Sequence, residues 1–140
     1  IWDIIRLYQK VFSIKSKQSQ NMTIDQLLEV DSSLLITIGA HTENHPILAN
    51  EEDKKSQEEI QASIDGLQSI LNHEITSFAY PNGIPELDFG KREMNFLVAN
   101  KCTLGFSTES KNFSRSDSPL SIPRYGLSHG GSNFIRAKTT

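Results

Sequence analysis

An α/β architecture of parallel strands flanked by helices is the fold class this sequence predicts, and three observations predict it. Short apolar, β-branched runs alternate along the chain with longer stretches whose apolar residues recur every three or four positions. Two of those runs end at turn-forming residues, Gly39 and Pro81-Asn82-Gly83. Strand ends of this kind are where a parallel sheet keeps its chemistry. The length of 140 residues, 36% of them hydrophobic, suits one core and is short for two, so residues 1–140 read as a single domain.

Ile1, Ile4, Ile5, Tyr8, Val11 and Phe12 fall at helical spacing and predict an amphipathic helix with Arg6, Gln9 and Lys10 on its polar side. The polar stretch from Ser13 to Asn21 has no such period and reads as a loop. Thr23 and Gln26 then form the T-x-x-Q pattern of a capping box, opening a short helix that carries Leu27 and Leu28. Leu34 to Ile38 is a compact apolar run and predicts a buried strand ending at Gly39. Between Asn50 and Asn72, Ile60, Ile64, Leu67 and Leu71 recur at helical spacing and predict the longest helix. Ile75 to Tyr80 predicts a second strand, closed by Pro81-Asn82-Gly83. A further helix is expected from about Asp88 to Ala99, with Phe89, Phe96 and Leu97 inward and Asn100 as its stop. Cys102 to Ser107 predicts a third strand, and Leu120 to Tyr125 a short last one after a Ser-rich loop.

Composition narrows the function. A net charge of −3 with scattered Lys and Arg forms no basic stripe, which argues against a nucleic-acid partner. The single cysteine, Cys102, can make neither an intrachain disulfide nor a thiolate zinc cluster. No window reaches the roughly 18 apolar residues needed to span a bilayer, so no membrane span is expected in this chain.

The segment Gly39-Ala40-His41-Thr42-Glu43-Asn44-His45-Pro46 is the most informative. Two imidazoles four residues apart can converge on one divalent ion, and Pro46 biases His45 away from the helical region, placing the pair on a turn. A bare H-x-x-x-H pair equally fits two ordinary loop histidines. A catalytic site needs a third ligand besides.

His41-Thr42-x-x-His45-Pro46 after an apolar strand resembles the second motif of the polysaccharide deacetylases, the NodB-homology domain of carbohydrate esterase family four. The following amphipathic stretch, then Phe78-Ala79-Tyr80-Pro81-Asn82-Gly83, then Ile122-Pro123-Arg124, extend the resemblance over roughly residues 22 to 127. It implies a partial (β/α) barrel and a hydrolase that removes N-acetyl or O-acetyl groups from peptidoglycan, chitin-like oligomers or an exopolysaccharide. It further implies a divalent metal, commonly zinc, held by His41 and His45 with an aspartate from an earlier strand, and a second aspartate as general base. Thr42 would hydrogen-bond near the ligands or serve as a plain turn hydroxyl. The Asn82 backbone N–H would stabilise the oxyanion, with Tyr80 and Pro81 walling the sugar groove, unless Pro81 to Gly83 is only a strand-ending turn. Arg124 would face the site or pair with a carboxylate. Localisation at the cell envelope or outside the cell follows from the resemblance alone.

The sequence also departs from that pattern. It has no adjacent aspartates, so the Asp-Asp motif of the family's first strand is missing, and Asp3, Asp25, Asp31 and Asp53 fall in or beside helices. The expectation is a C-terminal portion of a deacetylase domain whose aspartates lie upstream of Ile1, inactive or nearly so by itself and prone to self-association through its uncovered sheet edge. Ala79 stands where many members carry an arginine that orients the base. Leu127-Ser128-His129 only loosely matches the element that supplies a general acid, so His129 is either that acid or a solvated loop histidine. His73 reads as a surface residue at a helix end. Two rival functions remain: a non-catalytic carbohydrate-binding or scaffold module with this fold, and an unrelated α/β protein, in which the two imidazoles would point apart.

Overall fold

The computed structural model describes residues 21–125 together with residues 4, 7 and 10–12. Within that span, α1 runs over Ile24–Asp31, a short 3-10 turn over Leu48–Asn50, α2 over Asp53–Leu71, β1 over Ser77–Ala79, α3 over Lys91–Ala99 and β2 over Leu104–Phe106. Strands β1 and β2 pair in parallel, with Phe78 opposite Gly105. Single parallel bridges extend this ladder on both sides, Ala40 to Phe78 and Phe106 to Ile122. Four chain segments thus lie side by side in sequence order and in one direction, with α2 and α3 as the intervening helices. This is a section of a (β/α) barrel.

Local chemistry accounts for the elements. The capping box at α1 is formed: Thr23 Oγ1 accepts the Gln26 N–H at 3.2 Å, and Thr23 N–H donates to Gln26 Oε1 at 2.9 Å. Helix α2 buries Ile60, Ile64 and Leu71 on the predicted face and ends at Asn72, whose left-handed φ of 58° stops the helix. Helix α3 begins at Lys91, later than expected, because residues 84–89 fold into a turn of their own. There Asp88 N–H donates to the Ile84 carbonyl and Asp88 Oδ2 accepts Ile84 N–H. The core gathers Leu48, Ile60, Ile64, Ile75, Phe78, Tyr80, Phe89 and Leu97.

A polar clamp ties the starts of the two helices together. The buried Glu93 carboxylate accepts Ser56 Oγ–H at 3.0 Å, Gly90 N–H at 2.9 Å and Arg92 Nε–H at 2.7 Å. The Arg92 guanidinium also donates to Asp53 Oδ1 and to the Leu48 carbonyl. Burial alone would lower the Arg92 pKa, but the bonds to Glu93 and Asp53 outweigh it and hold the guanidinium above its ordinary value.

Three expectations need correction. Leu34 to Ile38 is not a buried strand: Leu34 and Leu35 sit in a turn closed by Ile36 N–H on the Ser33 carbonyl, and both are almost fully exposed. Apolar, β-branched composition makes a strand only where a neighbouring backbone pairs with it and a second layer covers it. Pairing here is confined to Ala40. Leu120 to Tyr125 likewise contributes one bridge, at Ile122, rather than a strand. The apolar face expected near the N-terminus is not inward where it is described, since Ile4, Val11 and Phe12 are all exposed. Ile1, Ile5, Tyr8 and the loop at 13–20 lie outside the described residues, as do His129 and the segment around it.

Candidate metal centre

The bridge at Ala40 aims the histidine loop. Ala40 N–H donates to the Ser77 carbonyl and the Ala40 carbonyl accepts Ala79 N–H, both at 2.9 Å, so the chain leaves the ladder at His41. A carbonyl can only accept, so the 2.6 Å contact between His41 Nδ1 and the Ala79 oxygen places the proton on Nδ1. In the neutral imidazole that leaves the Nε2 lone pair available to a ligand. The Thr42 hydroxyl donates to the His41 carbonyl at 2.6 Å and accepts His45 N–H at 3.1 Å, stapling one histidine backbone to the other. Both Thr42 (φ 63°) and His45 (φ 58°) occupy the left-handed region, which is strained for residues with a Cβ.

The two rings come together, their centroids 4.8 Å apart and their planes at 76°. Two imidazoles sharing one ion, each about 2.0–2.1 Å from it through nitrogen, have ring centres roughly 5 Å apart, and the His41–His45 separation matches that spacing. The unrelated-protein reading, with rings pointing apart, does not match this geometry. Among the described residues no third His, Cys, Asp or Glu joins the pair. His41 lines a hollow of about 230 Å³ over the sheet, with Ala40, Phe78 and Phe106, and a second of about 410 Å³ along α2.

Asn82 heads a tight turn in which Gly83 N–H bonds the Pro81 carbonyl. It is exposed, at φ 57°, and its own N–H has no acceptor among the described residues. Thr108 holds the turn, its hydroxyl donating to the Asn82 carbonyl at 2.6 Å and its N–H to the Gly83 carbonyl at 2.8 Å. Tyr80 and Pro81, expected to wall a sugar groove, are instead wholly buried and offer no surface to a ligand. The Tyr80 ring stacks on Phe89 at 3.5 Å, and its hydroxyl donates to the Leu120 carbonyl at 2.8 Å. Burial pushes that phenol well above its ordinary pKa. The exposed Arg124 pairs with no carboxylate among the described residues, and its Nε–H donates to the Ser107 carbonyl just beyond β2.

One contributor could not be singled out from the sequence. The Glu59 carboxylate, from the middle of α2, accepts the Asn44 backbone N–H at 2.8 Å and the Asn44 side-chain amide at 2.9 Å. Lys55 lies 2.7 Å from the same carboxylate. Burial would raise the Glu59 pKa, yet the bonds from Lys55 and Asn44 outweigh it and hold the group below its ordinary value. The sequence signal was slight: a carboxylate one position before the buried Ile60 and four after a lysine.

A parallel α/β section with a histidine loop and a glycine turn at neighbouring strand ends belongs to a barrel-type α/β scaffold. The profile of the family described as polysaccharide deacetylase matches residues 10–95, more than half of the sequence. The chain belongs to the polysaccharide deacetylase family. Among solved structures it is similar to the deacetylase PplD of Streptococcus pyogenes in complex with acetate, at 26% identity and a TM-score of 0.68 over 75% of this chain and 44% of that one. IcaB from Ammonifex degensii shares the fold at 19% identity and a TM-score of 0.69, over 84% of this chain and 52% of that one. A polysaccharide deacetylase from Bacillus cereus does so at 13% identity and a TM-score of 0.71, over 97% of this chain and 47% of that one. The chain spans about half the length of these three proteins. No curated protein matches it.

Proposed function

We propose that this chain forms part of a metal-dependent deacetylase that removes acetyl groups from a polysaccharide such as peptidoglycan, a chitin-like oligomer or an exopolysaccharide. The observation that carries the reading is the pair of imidazoles 4.8 Å apart, with His41 held in the tautomer that presents Nε2. His41 and His45 are the residues that would hold the ion, with zinc the usual choice for such a donor set. When bound, a divalent ion supplies Lewis acidity toward an acetyl carbonyl and lowers the pKa of water. Acetate bound to PplD is the product such a reaction would release.

The remaining roles belong to the chain. The Ala79 carbonyl fixes the His41 ring, and Thr42 fixes the turn that brings His45 back toward it. The Asn82 N–H is an open donor suited to an oxyanion. The parts of His129 as general acid and of Arg124 beside the substrate rest on the family resemblance alone. Two imidazoles hold a divalent ion weakly without a carboxylate, so the 140-residue chain by itself is expected to release little acetate. Its exposed Leu34, Leu35 and Ile36 favour self-association, which a monomeric sedimentation profile would contradict.

Zinc-loaded protein carrying the whole deacetylase domain, assayed for acetate release from N-acetylated glucosamine oligomers and from an O-acetylated glycan, tests the reading. Release should disappear in His41→Ala and His45→Ala. Undiminished release by either variant would overturn the assignment, and glycan binding without any acetate release would favour a carbohydrate-binding module.

A further inference from the structure

We propose that Glu59 is a positioning residue for the histidine pair, a carboxylate on α2 whose role is to hold the far half of the loop against its own strain. The proposal rests on the metal reading above and deepens it.

Among the described residues, the loop between His41 and Pro46 is anchored to the rest of the fold at two places. At its start, the Ala40 ladder and the His41–Ala79 bond tie it to β1. Beyond Thr42, the hydrogen bonds that tether it among the described residues are the two from Asn44 to Glu59. Asn44 stands between Thr42 and His45, the two residues at positive φ. Each such residue costs roughly 1–2 kcal/mol relative to an ordinary backbone conformation. A strained arrangement persists only where its surroundings over-determine it.

The Glu59 side chain is 1% exposed. A buried carboxylate is a poor stabiliser in its own right, because an apolar residue of similar volume is often as good or better. Its two oxygens here take both donors of one residue, a backbone N–H and a side-chain amide, while Lys55 offsets the charge. That geometry fixes the orientation of Asn44, and through it the point at which His45 enters its left-handed turn.

Zinc binding by protein carrying the whole deacetylase domain, followed with a competing chromophoric chelator, tests this, with the absorption spectrum of the cobalt-loaded form as a second readout of ligand geometry. Glu59→Ala should weaken zinc affinity about 10-fold, the low end of the range for groups bonded to metal ligands themselves, because Glu59 acts on the histidines through Asn44, and should change the cobalt spectrum. Lys55→Gln removes the ion pair but leaves both Asn44 bonds, so it should change zinc affinity less than about threefold. If Glu59 acts only as a salt-bridge partner in the helix, the two variants will weaken zinc alike. Should Glu59→Ala fail to fold, Asn44→Ala removes one of the two bonds from the loop side and should still weaken zinc several-fold. Zinc affinity within twofold of the unaltered protein in Glu59→Ala, or in Asn44→Ala where that must serve, overturns the proposal while leaving the histidine reading intact. No zinc binding by the unaltered protein, or none lost in His41→Ala, overturns the reading itself and the proposal with it.

Discussion

Replacing Arg92 by alanine probes the polar clamp that joins the starts of α2 and α3. The guanidinium donates three bonds, to Glu93 Oε1 at 2.7 Å, Asp53 Oδ1 at 2.8 Å and the Leu48 carbonyl at 2.7 Å. Its loss leaves Glu93, 2% exposed, as a buried carboxylate without its cation. Breaking a buried pair from one side costs about 3–5 kcal/mol. The figure must be trimmed, because the Arg92 side chain is 31% exposed and Glu93 keeps its bonds from Ser56 and Gly90. The Asp53 arm adds little, since that carboxylate is 84% exposed. A loss of about 2–4 kcal/mol results, a large share of the ~5–15 kcal/mol that holds a domain together. Urea unfolding followed by circular dichroism should show the midpoint falling with an unchanged slope. A double-mutant cycle with Glu93→Gln should return about 1.5–3 kcal/mol of coupling. Arg92→Lys should recover less than half of the loss, because an ammonium cannot reproduce the planar fork. A loss under about 1 kcal/mol, or a coupling near zero, would show that the clamp contributes little and refute the reasoning.

Two further outcomes can be checked by thermal unfolding. Gly83→Ala should lower the melting temperature by several degrees, because a Cβ there would sit 2.9 Å from the Tyr80 carbonyl oxygen on a backbone at φ 82°; an unchanged melting temperature would mean that the turn relaxes freely. His73, bonded to the Glu74 carbonyl and through Nε2 to Asp31, has its pKa raised by those two partners in that order. A folded-state pKa above the unfolded one contributes stability that is complete below the unfolded value, near 6.5, and lost as pH rises through the folded value. The melting temperature should therefore decline modestly from pH 5.5 to 8, and Asp31→Asn should shrink the decline. An identical pH profile in that variant would remove Asp31 from the account.

Periodicity carried the helices because one buried face is all a helix needs to be legible. Ile60, Ile64 and Leu71 are the face of α2, as their spacing implies. Strands were harder to read, since a strand exists only with its neighbours. Ile75 to Tyr80 sits between two partners and is paired at its centre, whereas Leu34 to Ile38, with equally suitable composition, is left unpaired. At the site, the motif at 41–46 was legible as a local pattern, and its two rings lie 4.8 Å apart. Tyr80 and Pro81 were misread because an aromatic residue beside a turn suits a groove wall and a core plug equally well. Only the stacking of Tyr80 on Phe89, nine residues later, decides between them. Glu59 was invisible for a related reason: its partner, Asn44, lies fifteen residues away on a loop.

Backbone strain separates the site from the scaffold, and one substitution can show it. Among the described residues, six other than glycine have positive φ: Thr42, His45, Asn72, Asn82, Glu86 and Lys101. Asn72 and Lys101 follow the ends of α2 and α3, where a left-handed residue satisfies the last carbonyls, and Glu86 lies in the turn before α3. Thr42, His45 and Asn82 end no helix, and all three lie just past adjacent parallel segments. Thr42→Gly would relieve about 1–2 kcal/mol of left-handed strain and give back about 0.5–1 kcal/mol through the freer unfolded chain. It would also lose the two hydroxyl bonds, each worth about 0.5–1.5 kcal/mol. At their midpoints the relieved strain offsets about half of the cost, so Thr42→Gly should lose only about 1 kcal/mol of stability. Zinc affinity has no such compensation, because the hydroxyl that joins the His41 carbonyl to the His45 N–H is gone and the glycine frees both rings to separate. Paired urea unfolding and zinc titration should therefore diverge, with a small stability loss beside a clear fall in affinity. A stability loss above about 3 kcal/mol would mean the loop stores no strain at Thr42, and an unchanged zinc affinity would mean the hydroxyl does not set the spacing of the rings.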